Sequence, residues 1–407
     1  MKFLVIVYDG MADTPIPSLG NRTPMQVAHK PYLDTLCRTA RVGTVCNVPK
    51  NMVPESDTAN LAILSYDPRL YSKGRSSLEA VSMGLSMDEE DTAIRCNLVA
   101  LSDEDGVAYE DRIMLDHGAD EITTPEADAL VRALEEKLGN DMRHLYTGVS
   151  YRHCLLWKNA TCEYSFTRPH DILGKRIGEY LPAGELGEPF YRFMRDSFDI
   201  LQNHPINAER RRRGLKAANS VWLWSACKKP FLPSFHKKWG LRGSVISAVD
   251  LIKGIALCAD MDVASVEGAT GNFNTNYRGK AEAAIDAYRR GSDYVYIHVE
   301  APDECGHRAE VENKVKSIEK IDSEILAPVC EYLSQSGEPY RVLVLPDHPT
   351  PCAIRTHTSD PVPYMIYDSE VSYPGLASFT EEGAASCHNL MEDGTNMMEL
   401  FIGKKPN

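Results

Sequence analysis

Acidic and imidazole side chains recur in this sequence just beyond short apolar runs, where they could hold metal ions. Asp9 follows the run at residues 3–8, Asp303 and His307 follow residues 294–299, and Asp347 and His348 follow residues 341–345. His357 lies close behind in a Thr-His-Thr. Asp303 and His307 are four apart, so both fall on one face if a helical turn begins after Pro302. Carboxylate and imidazole ligands mixed in this way suit Mn²⁺ or Zn²⁺ better than Mg²⁺ or Ca²⁺, which favour oxygen alone. Any one of these residues could be an ordinary loop or cap residue. The whole set at strand ends would need several independent accidents.

A second chemical candidate is Ser56, in Pro54-Glu55-Ser56-Asp57-Thr58, just before a run at residues 61–64 that reads as helix. The plain reading is a helix N-cap worth about 1 kcal/mol. The chemical reading uses the same geometry: a serine bound to a divalent ion can ionise, and amides at a helix N-terminus donate to phosphoryl oxygens. The segment by itself leaves both open.

These residues must be placed by the elements around them. Runs rich in Val, Ile and Tyr at residues 3–8, 263–266, 294–299, 341–345 and 364–367 read as buried parallel strands. Helical patterns lie between, at residues 280–290 and 311–335. Alternation of this kind predicts an α/β fold with a mainly parallel sheet covered by helices on both faces. Ligands of such sheets bind beyond the carboxyl ends of the strands, where the candidate metal residues would converge.

From about residue 88 to 242 the sequence turns polar, with a helix at residues 125–138, an arginine run at 210–213 and most of the tryptophans. It reads as a smaller α/β domain inserted into a core made of residues 1–87 and 243–407. With 44 Lys and Arg against 58 Asp and Glu, the net charge of -14 repels nucleic acid and anionic membranes. An anionic substrate must then meet a local basic pocket or metal ions. No run reaches the roughly 20 apolar residues of a membrane span. Residues 1–8 lead straight into Asp9, as a first strand and not a signal peptide would. The 11 cysteines include no Cys-x-x-Cys pair, so a reducing cytoplasm is the expected compartment.

Motifs along almost the whole chain resemble the archaeal-type, cofactor-independent phosphoglycerate mutases of the alkaline phosphatase superfamily. They include YDGMAD at 8–13, RTPMQVAHKPYLDTL at 22–36, ESDTANLAILSYDP at 55–68, GRSSLEA at 74–80, GVSYRH at 148–153, PHDI at 169–172, ISAVDLIKGI at 246–255, HVEAPDECGH at 298–307 and PDHPTP followed by HTSDPVP. The resemblance implies an alkaline-phosphatase-like core and an isomerase of glycolysis that needs two divalent ions and no 2,3-bisphosphoglycerate. It would interconvert 3-phosphoglycerate and 2-phosphoglycerate through a phosphoserine. Ser56 would be the nucleophile. Asp303, His307 and His357 would hold one ion, and Asp9, Ser56, Asp347 and His348 the other. Lys253 and Lys280 are both candidates to steady the phosphoryl oxygens.

In the insert, Arg95, Arg152, His153, His170, Asp171, Asn207 and Arg210 would bind a small phosphorylated substrate, since arginine forks match carboxylate and phosphate. Relatives of this branch have been proposed as homoserine kinases, and a related metal-dependent phosphatase is a further alternative. Three places depart from the pattern. Glu55 stands where Gly usually precedes the nucleophile. The histidine of an Asp-Tyr-Ser-Ala-Gly-His stretch becomes Glu121, or is shifted to His117. A Trp-Gly pair has become Trp224-Ser225.

Overall fold

The computed structural model describes residues 1–406. Its strands are β1 (Lys2–Tyr8), β2 (Arg41–Val45), β3 (Asp91–Leu101), β4 (Met114–Asp116), β5 (Arg143–Val149), β6 (Arg152–Lys158), β7 (Ser220–Lys228), β8 (Gly243–Ile246), β9 (Asp262–Ala264), β10 (Tyr294–Val299), β11 (Tyr340–Leu345), β12 (Val362–Asp368) and β13 (Leu390–Met391). The chain divides into two compact units, Met1–Ser72 with Pro230–Asn407, and Lys73–Lys229.

The first unit is built on one sheet in the order β13-β2-β12-β11-β1-β10-β8-β9. β1 lies parallel between β10 and β11, pairing Val5 with Tyr296 and with Leu343. Only β12 runs against its neighbours. β1 after Lys2 and β10 apart from His298 read as apolar runs because helices leave neither of their faces to solvent, and β10 is buried at every position. This is the mainly parallel α/β fold that the run spacing predicts.

The helix expected at residues 311–335 is a composite. An α-helix over Val311–Ile321 passes through a wide π turn, Asp322–Leu326, into a second α-helix over Ala327–Gln335. The turn carries Asp322 to the start of the helix Pro31–Cys37, where its carboxylate accepts the amides of Tyr32 and Leu33 at 3.2 and 2.7 Å. That helix has no side-chain cap of its own, so a distant residue satisfies its first-turn donors.

The second unit carries an antiparallel sheet in which β3 pairs with β4, β6 and β7, and β6 with β5. The long helices Thr124–Leu138 and Gly184–Leu201 pack on it through residues such as Leu130, Phe190 and Phe198. Its borders fall at 73 and 229, earlier than the 88 and 242 read from composition. Helix Arg75–Ser82 packs on β3 and β7, which assigns it to this unit. Phe235, beyond the other border, instead sets its ring 4.8 Å from that of Tyr294 in the core sheet, tilted by 41°.

Candidate active site

Three strands of the first unit end at one place. Asp9 follows β1, and Gly10 after it adopts φ +63°, where a Cβ would stand 2.7 Å from the Asp303 Cα, so only glycine lets the chain pass this close. Asp303 and His307 share a face of the helix Ala301–Arg308, which begins right after β10. Asp347 and His348 follow β11, and Asn47 donates to the Pro346 and Asp347 carbonyls at 3.3 and 3.0 Å, fixing that turn.

Two groups of donor atoms result. Around Asp303, His307 Nε2 lies 3.2 Å from Oδ2 and His357 Nε2 3.3 Å from Oδ1, while the two imidazoles approach each other at 2.9 Å. Their other ring nitrogens face the backbone: His307 Nδ1 meets the Arg355 carbonyl and His357 Nδ1 that of Pro54, at 3.0 and 2.6 Å. Such outer contacts fix ring orientation in metal sites. Around Asp9, His348 Nε2 lies 3.7 Å from Asp9 Oδ1 and 3.6 Å from Asp347 Oδ2. The stacked rings of His348 and His357, 3.9 Å apart, join the groups.

The electrostatics fit cations. Burial beside Asp347, Asp303 and Glu300 drives the Asp9 carboxyl well above its usual range, and neither of its oxygens has a hydrogen-bond partner among the described residues. Its bond to Asp303 lifts His307 to about 9, whereas burial lowers His348. A desolvated carboxylate crowded by others and left, like Asp9, without a donor is stabilised by a divalent ion. Donor atoms of Asp303, His348 and His357, of Asp9, His298 and Asp347, and of Asp9, Glu300 and Asp303 lie close enough in each group to share one.

Ser56 sits beside these groups, its Oγ 3.3 Å from His348 Nε2. It is the first residue of the helix Ser56–Ile63 and not its N-cap. That place is taken by Glu55, whose extended backbone (φ -110°, ψ 156°) enters the helix without a side-chain cap. The hydroxyl is therefore not spent on capping. Asn60, one turn on, donates to the Ser56 carbonyl and to Asp347 Oδ2, both at 2.8 Å, and receives the Tyr296 hydroxyl. Asn60, Thr350 and His298 escaped sequence reasoning, although Asn60 stands at i+4 from Ser56, a spacing that places the two on one helical face.

Lys280 is wholly buried with Nζ 3.2 Å from the His298 carbonyl, and burial lowers it to about 8. Lys253 is partly exposed and bonds Asp250 at 3.1 Å.

In the second unit, Arg95 lies over the Trp224 ring at 4.2 Å and reaches Glu79 at 3.2 Å, and Arg152 lies over Tyr151. His170 and His117 stand edge to face with their aromatic neighbours and 6.1 Å from each other. Asn97 ties the group together, donating to the His117 carbonyl and accepting from Trp224 Nε1. Exposed Asp171 approaches His170 at 3.7 Å.

Other residues expected to touch substrate are placed differently. His153 follows Arg152 in a strand and so points to the opposite face, where it is buried and accepts from the Gly148 amide. Asn207 is fully buried, with its amide bonded to the Leu201 and Ala218 backbone. Arg210, 2% exposed, binds Glu126 and the carbonyls of Lys216 and Ala119. These contacts hold a left-handed turn at Ala119, Asp120 and Glu121, with φ of 49°, 54° and 50°. Asn207 and Arg210 are thus committed to the unit's own frame. Ser225, where Gly was expected, has φ 55° at a bulge of β7 against β3, the conformation that glycine adopts at least cost.

The family described as 2,3-bisphosphoglycerate-independent phosphoglycerate mutase matches residues 37–207. A protein of that name from Methanosarcina mazei is 44% identical over 99% of this chain and 100% of its own length, and one from Methanothrix thermoacetophila is 43% identical with the same coverage. Among solved structures, the PH0037 protein of Pyrococcus horikoshii superposes with a TM-score of 0.81 at 26% identity, covering 99% of this chain and 96% of that one. The cofactor-independent phosphoglycerate mutase of Thermoplasma acidophilum gives 0.65 at 25%, covering 99% of both. With relatives this similar from end to end, the chain belongs to the family of 2,3-bisphosphoglycerate-independent phosphoglycerate mutases.

Proposed function

We propose that the protein interconverts 3-phosphoglycerate and 2-phosphoglycerate through a phosphoserine at Ser56, without 2,3-bisphosphoglycerate. The observation that carries this reading is the Ser56 hydroxyl, uncommitted to capping, set against His348 and two groups of buried ligands in a chain of this family. Asp303, His307 and His357 would hold one divalent ion, and Asp9, Ser56, Asp347 and His348 the other, with Mn²⁺ or Zn²⁺ favoured by the mixed donors. Bound there, two cations would neutralise phosphoryl oxygens and lower the pKa of the serine hydroxyl.

The chain's own residues do the rest. The amides of the first turn of Ser56–Ile63 donate to phosphoryl oxygens, and Asn60 keeps that turn in register with Asp347. Buried Lys280, whose ammonium already sits by the His298 carbonyl, is favoured over Lys253 to steady the transferred group. Arg95, Arg152 and His170 would grip the carboxylate and phosphate of the glycerate, with His117, Tyr151 and Trp224 shaping their setting. Asp171 would orient His170. No helix among the described residues is long and apolar enough to cross a membrane, and the free cysteines suit a cytoplasmic enzyme.

The test is a coupled assay of 2-phosphoglycerate formation from 3-phosphoglycerate. Activity should vanish after chelation and return with Mn²⁺. Full activity in chelated protein would end the metal reading. Release of inorganic phosphate alone, or phosphorylation of homoserine from ATP, would transfer the assignment to a phosphatase or a kinase.

A further inference from the structure

The central carboxylates differ in how their oxygens are held. Asp347 accepts the Gly10 and His348 amides on Oδ1, at 3.2 and 2.9 Å, and Asn60 on Oδ2. Asp303 accepts the Thr350 hydroxyl. Asp9, 1% exposed, has no such partner, yet its oxygens face different groups: Oδ1 lies toward His348, and Oδ2 is 3.1 Å from His298 Nε2.

His298 is an imidazole in the middle of a parallel sheet, fully buried between Ile297 and Val299. Burying a polar ring there is costly unless it is paired. Its Nδ1 lies 3.5 Å from Ser247 Oγ, which itself accepts the Val249 amide at 3.0 Å. The Ser247 hydroxyl already has its donor, so its own proton is free to go to Nδ1. With Nδ1 accepting from Ser247, the ring hydrogen sits on Nε2, the nitrogen facing Asp9. Nε2 has no hydrogen-bond partner among the described residues; it stands 3.1 Å from Asp9 Oδ2 with its N–H out of line with that oxygen.

We propose that His298 is a positioning residue whose Nε2–H braces Asp9 Oδ2, so that Oδ1 is presented on the His348 side as a metal ligand. The chain Val249 N–H, Ser247 O–H, His298 N–H, Asp9 then does for Asp9 what Asn60 does for Asp347. Outer partners of this kind change metal affinity by about 10- to 100-fold. The inference rests on the two-ion reading above.

The test is calorimetric titration of chelated full-length protein with Mn²⁺, without substrate. Wild type should bind two ions. His298→Phe should bind one with wild-type affinity and the other at least about 10-fold more weakly. His298→Gln, whose amide N–H reaches where Nε2 does, should stay within about threefold of wild type, and Ser247→Ala should fall between the two. Unchanged affinities in a folded His298→Phe, or equal losses in the Phe and Gln variants, would overturn the proposal. If His298→Phe does not fold, an unchanged Ser247→Ala together with a weakened His298→Gln would overturn it equally. Wild-type protein that binds no Mn²⁺ would overturn the two-ion reading as well.

Discussion

Lys314 Nζ lies 2.8 Å from Asp13 Oδ2, with both side chains entirely shut off from solvent. Lys314 also donates to the Thr350 carbonyl, and Asp13 accepts the Cys352 amide. The pair therefore pins the turn from which Thr350 reaches Asp303. Removing one partner leaves a buried charge uncompensated. Lys314→Met should cost about 3–5 kcal/mol in urea denaturation, with much of it recovered in the double variant that adds Asp13→Asn. Equal stability of the single and double variants would show that the charge is neutralised in another way.

Ser56→Ala should remove turnover while shifting stability by no more than about 0.5 kcal/mol, since the hydroxyl makes no capping bond. Turnover above a few per cent of wild type in a protein with an unchanged melting curve would exclude Ser56 as the nucleophile.

The Asp303 contact raises His307 from 6.5 to about 9. A raised histidine contributes stability that is fully present below pH 6.5 and lost as pH climbs through about 9. In chelated protein, the melting-temperature gap between wild type and His307→Asn should therefore close between pH 6 and pH 10. Mn²⁺ uptake should move the other way, strengthening with pH as the ring loses the proton that competes with the ion. A gap that widens with pH would mean that His307 is neutral in the folded protein.

Arg152 and Arg210 should separate substrate binding from architecture. Arg152→Ala is expected to raise KM and the share of inorganic phosphate over 2-phosphoglycerate, because a loosely held glycerate escapes before the second transfer. Arg210→Ala should leave KM unchanged and cost about 3 kcal/mol, because the Lys216 and Ala119 carbonyls and the left-handed turn lose their buried donor. The opposite pattern would reverse the two roles.

The metal-ligand candidates were legible because their signals are local. Asp9 and Asp347 stand one or two residues past apolar runs, and Asp303 and His307 one helical turn apart. The sheet of the second unit was not legible. β5, with half-buried Arg143 and Tyr146, lacks clean alternation, and β4 has only three residues. Residue type could not tell Arg152 from Arg210 either, since an arginine that builds a frame reads the same in sequence as one placed to meet an anion. His298 gave no signal, because one polar residue in a buried strand has no periodicity to mark it. The Ser56 position was off by one residue, the ordinary uncertainty of a helix boundary.

The wide turn at Asp322–Leu326 marks where this chain can change length. A π turn takes in one residue more than an α turn before coming round to the same face. A one-residue deletion there would let Val311–Gln335 close into an unbroken α-helix, with Val329, Cys330 and Leu333 still directed at the sheet. What would go is the reach of Asp322 to the Tyr32 and Leu33 amides. Homologues one residue shorter at this point should keep the apolar stripe unaltered and carry a serine, threonine or aspartate of their own at the position of Lys30.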